Sequence, residues 1–382
     1  MDSELLQVVY MLQRRMVIRK KAFTRKNLQL LILLRHRMHC RDRHFLRSQA
    51  LFLSVNQCPW YVMYREGSDS DLIAAISLTR ASFNLLLSRF KLFYKFHSGG
   101  SKDGRPPRVR DHHCILSLLL HTYCSTAESK TWSEMFGIAP STLRRTLLKA
   151  EIALLETLNS LPLARVEWPS IEYQIRMALL VETKEPLVKG RWGFIDGKNY
   201  RVEEPANADL QNCMFNGWLH TVFITGTACF SADGLIVWAK LNNFGSWNDG
   251  EMSVDFRRRL LIEEKNAVGH GVLSDSAFPV TGLMFGRILT PLKSGDIERA
   301  HVDARPALLQ MSSSITTMRQ AAEWGMGAVC KVYRILLAEL SFKAATRARL
   351  LLVLHKLYNF RVRTTGISQI RNFFDKLSRN TA

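Results

Sequence analysis

Apolar positions recur at helical spacing through the first half of the chain and gather into short β-branched and aromatic runs in the second. Residues 71–96 place Leu72, Ile73, Ile76, Phe83, Leu86, Leu87, Phe90 and Phe93 on one broad stripe with no proline, which predicts a single helix. The Gly-, Pro- and charge-rich stretch 98–110 breaks that pattern and reads as a loop and linker. The helical period resumes over 111–160. Ile115 to Tyr123 reads as one apolar helix, and Thr131 to Phe136 begins another. Gly137-Ile138-Ala139-Pro140-Ser141-Thr142 then interrupts, and Ser141 or Thr142 is placed to cap a third helix, Leu143 to Leu158.

After Pro169 the character changes. Residues 191–202 predict a short strand interrupted by Asp-Gly, and residues 219–230 a second strand. Ser231-Ala232-Asp233-Gly234 followed by the apolar run 235–241 is the strongest hairpin signal in the chain. Residues 270–275 predict a further strand ending at Asp275. Residues 281–310 read as irregular, 316–340 as a helix despite Gly325 and Gly327, and 342–358 as a last helix ending near Asn359. This order predicts an α/β core with a mixed sheet flanked by helices, preceded by an all-helical N-terminal region. The boundary falls near 160–190. The divisions expected are a basic helical head (1–60), a helical region (61–165), a core (190–340) and a basic C-terminal helical extension (341–382).

The chain has 382 residues, and its 53 Lys and Arg against 33 Asp and Glu leave a formal charge of +20. That excess is concentrated at the ends: residues 1–50 carry twelve basic residues and three acids, and residues 341–382 nine and one. Basic ends around a near-neutral centre point to a polyanion, nucleic acid being the commonest, with salt-sensitive binding. In the head, Arg14, Arg15, Arg19, Lys20, Lys21, Arg25 and Lys26 alternate with apolar residues, as in a basic amphipathic helix. Such a helix can follow a phosphate backbone, direct nuclear import or lie on an acidic membrane. The seven dispersed cysteines lack C-x-x-C spacing, which fits reduced thiols rather than a zinc cluster or disulfide framework. There is no H-E-x-x-H pattern, phosphate loop or serine nucleophile elbow.

A short helix, a glycine turn and a helix opening Ser-Thr-Leu-Arg-Arg have the layout of a helix-turn-helix. On that reading Ser141, Thr142, Arg144, Arg145 and Lys149 face DNA. The same residues suit an ordinary helical hairpin with solvated arginines.

Three acids stand in unusual positions. Asp196 and Asp275 lie at or near the ends of predicted strands, and Glu323 lies on a predicted helix among small and apolar neighbours. Two divalent ions held by such carboxylates can stabilise the attacking and leaving oxygens of a phosphodiester. The nucleophile would be water or a DNA 3′-hydroxyl. An Asp-Gly pair also serves as a plain turn, and a lone helix acid as a cap or an arginine partner, so the residues alone leave both readings open.

The segments GFIDG, GSWND, LSDSAFP and RQAAEWGMGA, in this order, resemble the PIF/Harbinger transposases and the Harbinger transposase-derived nucleases of the DDE superfamily endonucleases, over about residues 115–373. The resemblance implies an RNase H-like core with catalytic, metal-holding acids at Asp196, Asp275 and Glu323, using Mg²⁺ or Mn²⁺. It implies a nuclear DNA endonuclease or transposase, a Myb-like partner protein, and an oligomer if two DNA ends are paired. A domesticated DNA-binding protein without cleavage is the alternative. Asp249 of the GSWND segment reads as structural or supporting. The chain departs from its relatives at Ser276-Ala277-Phe278 and over 291–310.

Overall fold

A 40-residue helix, α1 (Ser3–Asp42), carries the basic head, and every side chain described along it, residues 6–35, is exposed. The computed structural model describes residues 3–42, 55–96, 109–217, 219–280 and 282–375, so most of the stretch read as a linker lies outside the described residues. Among the described residues, seven more helices precede the sheet: α2 (Pro59–Glu66), α3 (Asp69–Ile76), α4 (Arg80–Phe93), α5 (His112–Cys124), α6 (Ser129–Phe136), α7 (Pro140–Ser160) and α8 (Ile171–Lys184).

The single helix expected over 71–96 is two. Ser77 closes α3 in the left-handed region (φ 63°), and the Thr79 side chain caps α4 by accepting from the Ser82 N–H. Caps at two successive helix ends outweigh a continuous apolar stripe. Arg361 holds the break in place, donating from Nε to Ser77 O at 3.0 Å and to Ser77 Oγ at 2.7 Å. The third predicted helix also starts earlier than expected. Pro140 occupies the first turn of α7, where its missing N–H costs nothing, so Ser141 and Thr142 lie inside the helix rather than at its cap.

The sheet has six strands: β1 (Arg191–Arg201), β2 (Phe215–Asn216), β3 (Thr221–Ser231), β4 (Ile236–Phe244), β5 (Gly271–Leu273) and β6 (Ile288–Leu289). Their order is β2-β3-β1-β5-β6, with β4 also paired to β3. β1, β3 and β4 form an antiparallel unit closed by the expected hairpin, with Gly234 at φ 84° in its turn. β5 and β6 add in parallel beside β1. This mixed sheet flanked by helices is consistent with an RNase H-like fold. β1 runs unbroken through Asp196-Gly197, because Asp196 pairs with Ala228 and Gly197 with Thr227 across the ladder. The Asp-Gly pair therefore is not a turn.

Between the strands lie α9 (Ala208–Met214), α10 (Asp249–Met252) and α11 (Val254–Leu260), and after them α12 (Arg305–Val332), α13 (Ala344–Thr365) and α14 (Gln369–Asp375). α12 begins eleven residues before the expected start, with Pro306 in its first turn, and it ends at Val332, where a short 3-10 turn takes over. α13 continues past Asn359 to Thr365 and is closed by Gly366 at φ 72°.

One hydrophobic cluster runs from Val55 to Phe374 and joins the helical half to the sheet. α13 is part of it: Leu351, Leu354, Leu357, Tyr358 and Phe360 are almost fully buried. This alters the meaning of the C-terminal charge. Arg347 and Arg361 are buried, and Arg347 donates to Asn242 Oδ1 and to the Ser341 and Phe342 carbonyls. Arg349 pairs with Glu151 at 2.6 Å, and Arg363 donates to the Leu163 and Arg165 carbonyls. Much of the basic tail thus ties the two halves of the fold together instead of presenting a charged surface.

Candidate active site

The parallel register of β1 and β5 brings the two aspartates together. Phe194 pairs with Leu273, and Asp196 and Asp275 each follow two residues later. β5 stops at Leu273, so Asp275 stands just past the strand, where its Oδ1 accepts from the Ala277 N–H at 3.0 Å and tightens the turn that follows.

Glu323 is brought to the same region by α12, which packs on β1, β3 and β5. Gly325 makes the approach possible, because a Cβ there would lie 2.7 Å from the Phe230 ring. Phe230 is the cross-strand partner of Phe194, so α12 crosses the sheet two pairs away from Asp196 and on the same face. The small residues around Glu323 in RQAAEWGMGA are thus packing residues: Ala321, Ala322 and Gly325 are buried. Glu323 itself is half exposed, and its Oε1 accepts from Arg319 at 2.9 Å, one turn earlier.

Burial, reinforced by the negative charges of Asp275 and Glu323, pushes the Asp196 carboxyl up to about 6, although the Gly197 N–H and Arg319 pull the other way. Residues far apart in sequence therefore share one electrostatic neighbourhood. They do not form a closed cage. Among the described residues, no three His, Cys, Asp or Glu side chains are gathered closely enough to hold one metal ion. Asp196 turns one oxygen to Gly197 N at 2.8 Å, and Glu323 turns to Arg319. The donor chemistry still suits a hard divalent ion, since all three groups offer carboxylate oxygen and their mutual repulsion would fall on binding one.

A fourth carboxylate borders the site. Asp249 opens α10, whose end is fixed by a capping box between Asn248 and Glu251. A Cβ on residue 197 would lie 2.6 Å from Asp249 Oδ1, so the glycine after Asp196 makes room for this acid. Burial first, and Asp275 second, raise the Asp249 carboxyl above its ordinary value.

Residues 195–359 match the family model of the DDE superfamily endonucleases. The match spans Asp196, Asp249, Asp275 and Glu323, from mid-β1 to the middle of α13. No curated protein and no solved structure matches the chain. The matched segment starts well after the helical half, which contributes the other candidate residues. Thr142, Arg144, Arg145 and Lys149 lie on the first half of α7, and Ser141 lies in its first turn. Arg144, Arg145 and Lys149 are exposed and Thr142 is half-buried, whereas Leu143 and Ala150 turn into the core. α6, the Gly137 turn (φ 62°) and α7 keep the order of a helix-turn-helix, but they lie outside the matched segment.

Arg319 and Asp249 complete the neighbourhood. Arg319 was legible as the i, i+4 partner of a helix acid. The proximity of Asp249 to Gly197 depends on a tertiary approach that no sequence spacing encodes.

Proposed function

We propose that the protein is a divalent-metal-dependent DNA endonuclease of the transposase type, with Asp196, Asp275 and Glu323 as its metal-holding acids. What supports this reading is the parallel register that sets Asp196 and Asp275 side by side, with Glu323 on the helix packed over those strands, inside a segment that matches the DDE superfamily endonucleases. Bound Mg²⁺ or Mn²⁺ would supply positive charge at the attacking and leaving oxygens of a phosphodiester. Asp196, central in the sheet, would be the ligand shared between ions, and Asp275 and Glu323 would hold one each. The rigidity of β1 would fix the shared carboxylate, while Glu323 would turn from Arg319 as the site fills. Arg144, Arg145, Lys149 and the basic residues of α1 would hold the DNA backbone. The protein would act in the nucleus, with a Myb-like partner and as an oligomer where two DNA ends are paired.

A second reading has its own observation. Glu323 is engaged by Arg319, and no three-carboxylate group is assembled among the described residues. Both facts favour a transposase-derived DNA-binding protein that no longer cleaves. Supercoiled-plasmid nicking separates the two. The nuclease reading expects nicking that requires Mg²⁺ or Mn²⁺ and disappears in Asp196→Ala, Asp275→Ala and Glu323→Ala. Equal behaviour of the wild type and all three variants leaves only the DNA-binding reading.

A further inference from the structure

α1 stands clear of the hydrophobic cluster, and its residues 6–35 are exposed without exception. Its apolar residues are nevertheless ordered. Val9, Leu12, Met16, Phe23, Leu30 and Leu33 recur at alternating steps along the helix, each 47–68% exposed. The step between Met16 and Phe23 is taken by Arg19, and the step between Phe23 and Leu30 by Lys26. We propose that α1 is a docking arm for an acidic amphipathic helix of another protein, which pairs with it along this seam as a coiled coil. The proposal goes beyond the nuclease reading and does not depend on it.

The first support is spacing. Apolar residues at alternating steps of about three and four keep one seam turned toward a partner helix, and this seam runs about 36 Å from Val9 to Leu33. Large apolar side chains left open to water in such a row mark an interaction site. A helix draws most of its stability from packing of its apolar stripe, and α1 finds no such packing within its own fold.

The second is charge, which selects the occupant. Residues 6–35 carry eight lysines and arginines and no acid. A second copy paired in register would set Arg19 against Arg19 and Lys26 against Lys26 inside the seam, where like charges repel. An acidic helix meets both cations with carboxylates and offers apolar side chains to the rest of the row.

The third is how the other residues are arranged. A helix that lies on an acidic membrane separates one apolar face from one basic face. In α1 the cations Arg19 and Lys26 stand in the apolar row itself, while Val17 and Ile18 lie off it, so the two kinds are not separated. Arg14 and Lys21 fall on the side opposite the seam, open to a DNA backbone while the seam is covered.

The test is fluorescence anisotropy on the full chain, without DNA or divalent ion. The probe is a labelled peptide of residues 6–35 with glutamate in place of each lysine and arginine. The wild type is expected to bind it at least about tenfold more tightly than a scrambled peptide of the same composition, and than the unaltered peptide, the scale of one buried apolar side chain. Met16→Ser combined with Phe23→Ser should remove that preference. Arg19→Glu combined with Lys26→Glu should weaken binding of the acidic peptide by at least about tenfold. Val17→Ser combined with Ile18→Ser, off the seam, should leave the preference in place. Equal affinity for the ordered and scrambled peptides would reduce α1 to bulk charge and overturn the proposal. So would an equal loss in the off-seam variant, or tighter binding of the unaltered peptide, which would make a second copy the occupant. A chain that ignores the acidic peptide yet binds phosphatidylserine vesicles would overturn it in favour of a lipid surface.

Discussion

Arg319 and Glu323 form a 2.9 Å ion pair across one turn of α12, with the guanidinium better covered than the carboxylate, at 24% against 50% exposed. The pair satisfies Glu323 in the absence of a cation and competes with any ion the carboxylate would hold. An exposed pair of this kind is worth up to about 1 kcal/mol. Arg319→Gln is therefore expected to tighten divalent-ion binding by up to about fivefold, measured as the Mn²⁺ concentration that half-saturates the protein without DNA. Weaker Mn²⁺ binding in this variant would mean that Arg319 supports the site rather than competing with it.

Gly325 and Gly327 lie on the same helix and should respond to alanine with opposite signs. At residue 325 the new methyl meets the Phe230 ring at 2.7 Å, whereas at residue 327 nothing lies within 4 Å. Gly327→Ala should stabilise by about 0.5–1 kcal/mol through helix propensity alone. Gly325→Ala should instead destabilise by about 1–3 kcal/mol, because α12 must lift from the sheet. Urea denaturation of both variants reads the pair, and a stabilising Gly325→Ala would show that the helix does not sit on Phe230.

The raised Asp196 carboxyl makes a prediction in pH. Its value is about 6 in the fold against an ordinary 3.8, so the folded state holds the proton more tightly than the unfolded chain. The stability this lends is complete below about 3.8 and is lost as pH rises through 6. Asp196→Asn removes the buried charge, so it should stabilise the protein by about 2 kcal/mol at neutral pH and by little near pH 4. Thermal melts across that window test it. A variant no more stable than the wild type at pH 8 would show that the carboxylate is not penalised in the fold.

The basic residues divide into structural and exposed sets. Arg361→Ala should cost about 2–4 kcal/mol, because it leaves the buried Ser77 carbonyl and hydroxyl without their partner. Arg144→Ala and Arg145→Ala, on the open side of α7, should change stability by no more than about 0.5 kcal/mol. If these two arginines touch DNA phosphates, each variant should also lower the salt dependence of DNA binding by about one counterion. Salt slopes identical to the wild type would show that this face of α7 does not meet DNA.

The sheet was largely legible because its strands are marked by β-branched runs and by one Asp-Gly hairpin. The acids were legible as outliers: a carboxylate in an apolar strand and one among small helix residues. What the chain concealed follows from tertiary contact. Asp196 sits mid-strand because β3 continues its ladder beyond Gly197. The break at Ser77 depends on Arg361, far away in sequence, and the C-terminal charge belongs to a core helix whose apolar and basic residues interleave. The Arg319–Glu323 pair accords with helical spacing, whereas the approach of Asp249 to Gly197 is displayed by no motif.

The central claim is that Asp196, Asp275 and Glu323 are the ligands of a divalent-metal site, and Mn²⁺ binding followed by electron paramagnetic resonance tests it most directly. Titration of the full chain should show Mn²⁺ bound by the wild type, with affinity reduced by at least about tenfold in each of Asp196→Asn, Asp275→Asn and Glu323→Gln. Wild-type protein that leaves Mn²⁺ free, or three variants that bind it as the wild type does, would contradict the account.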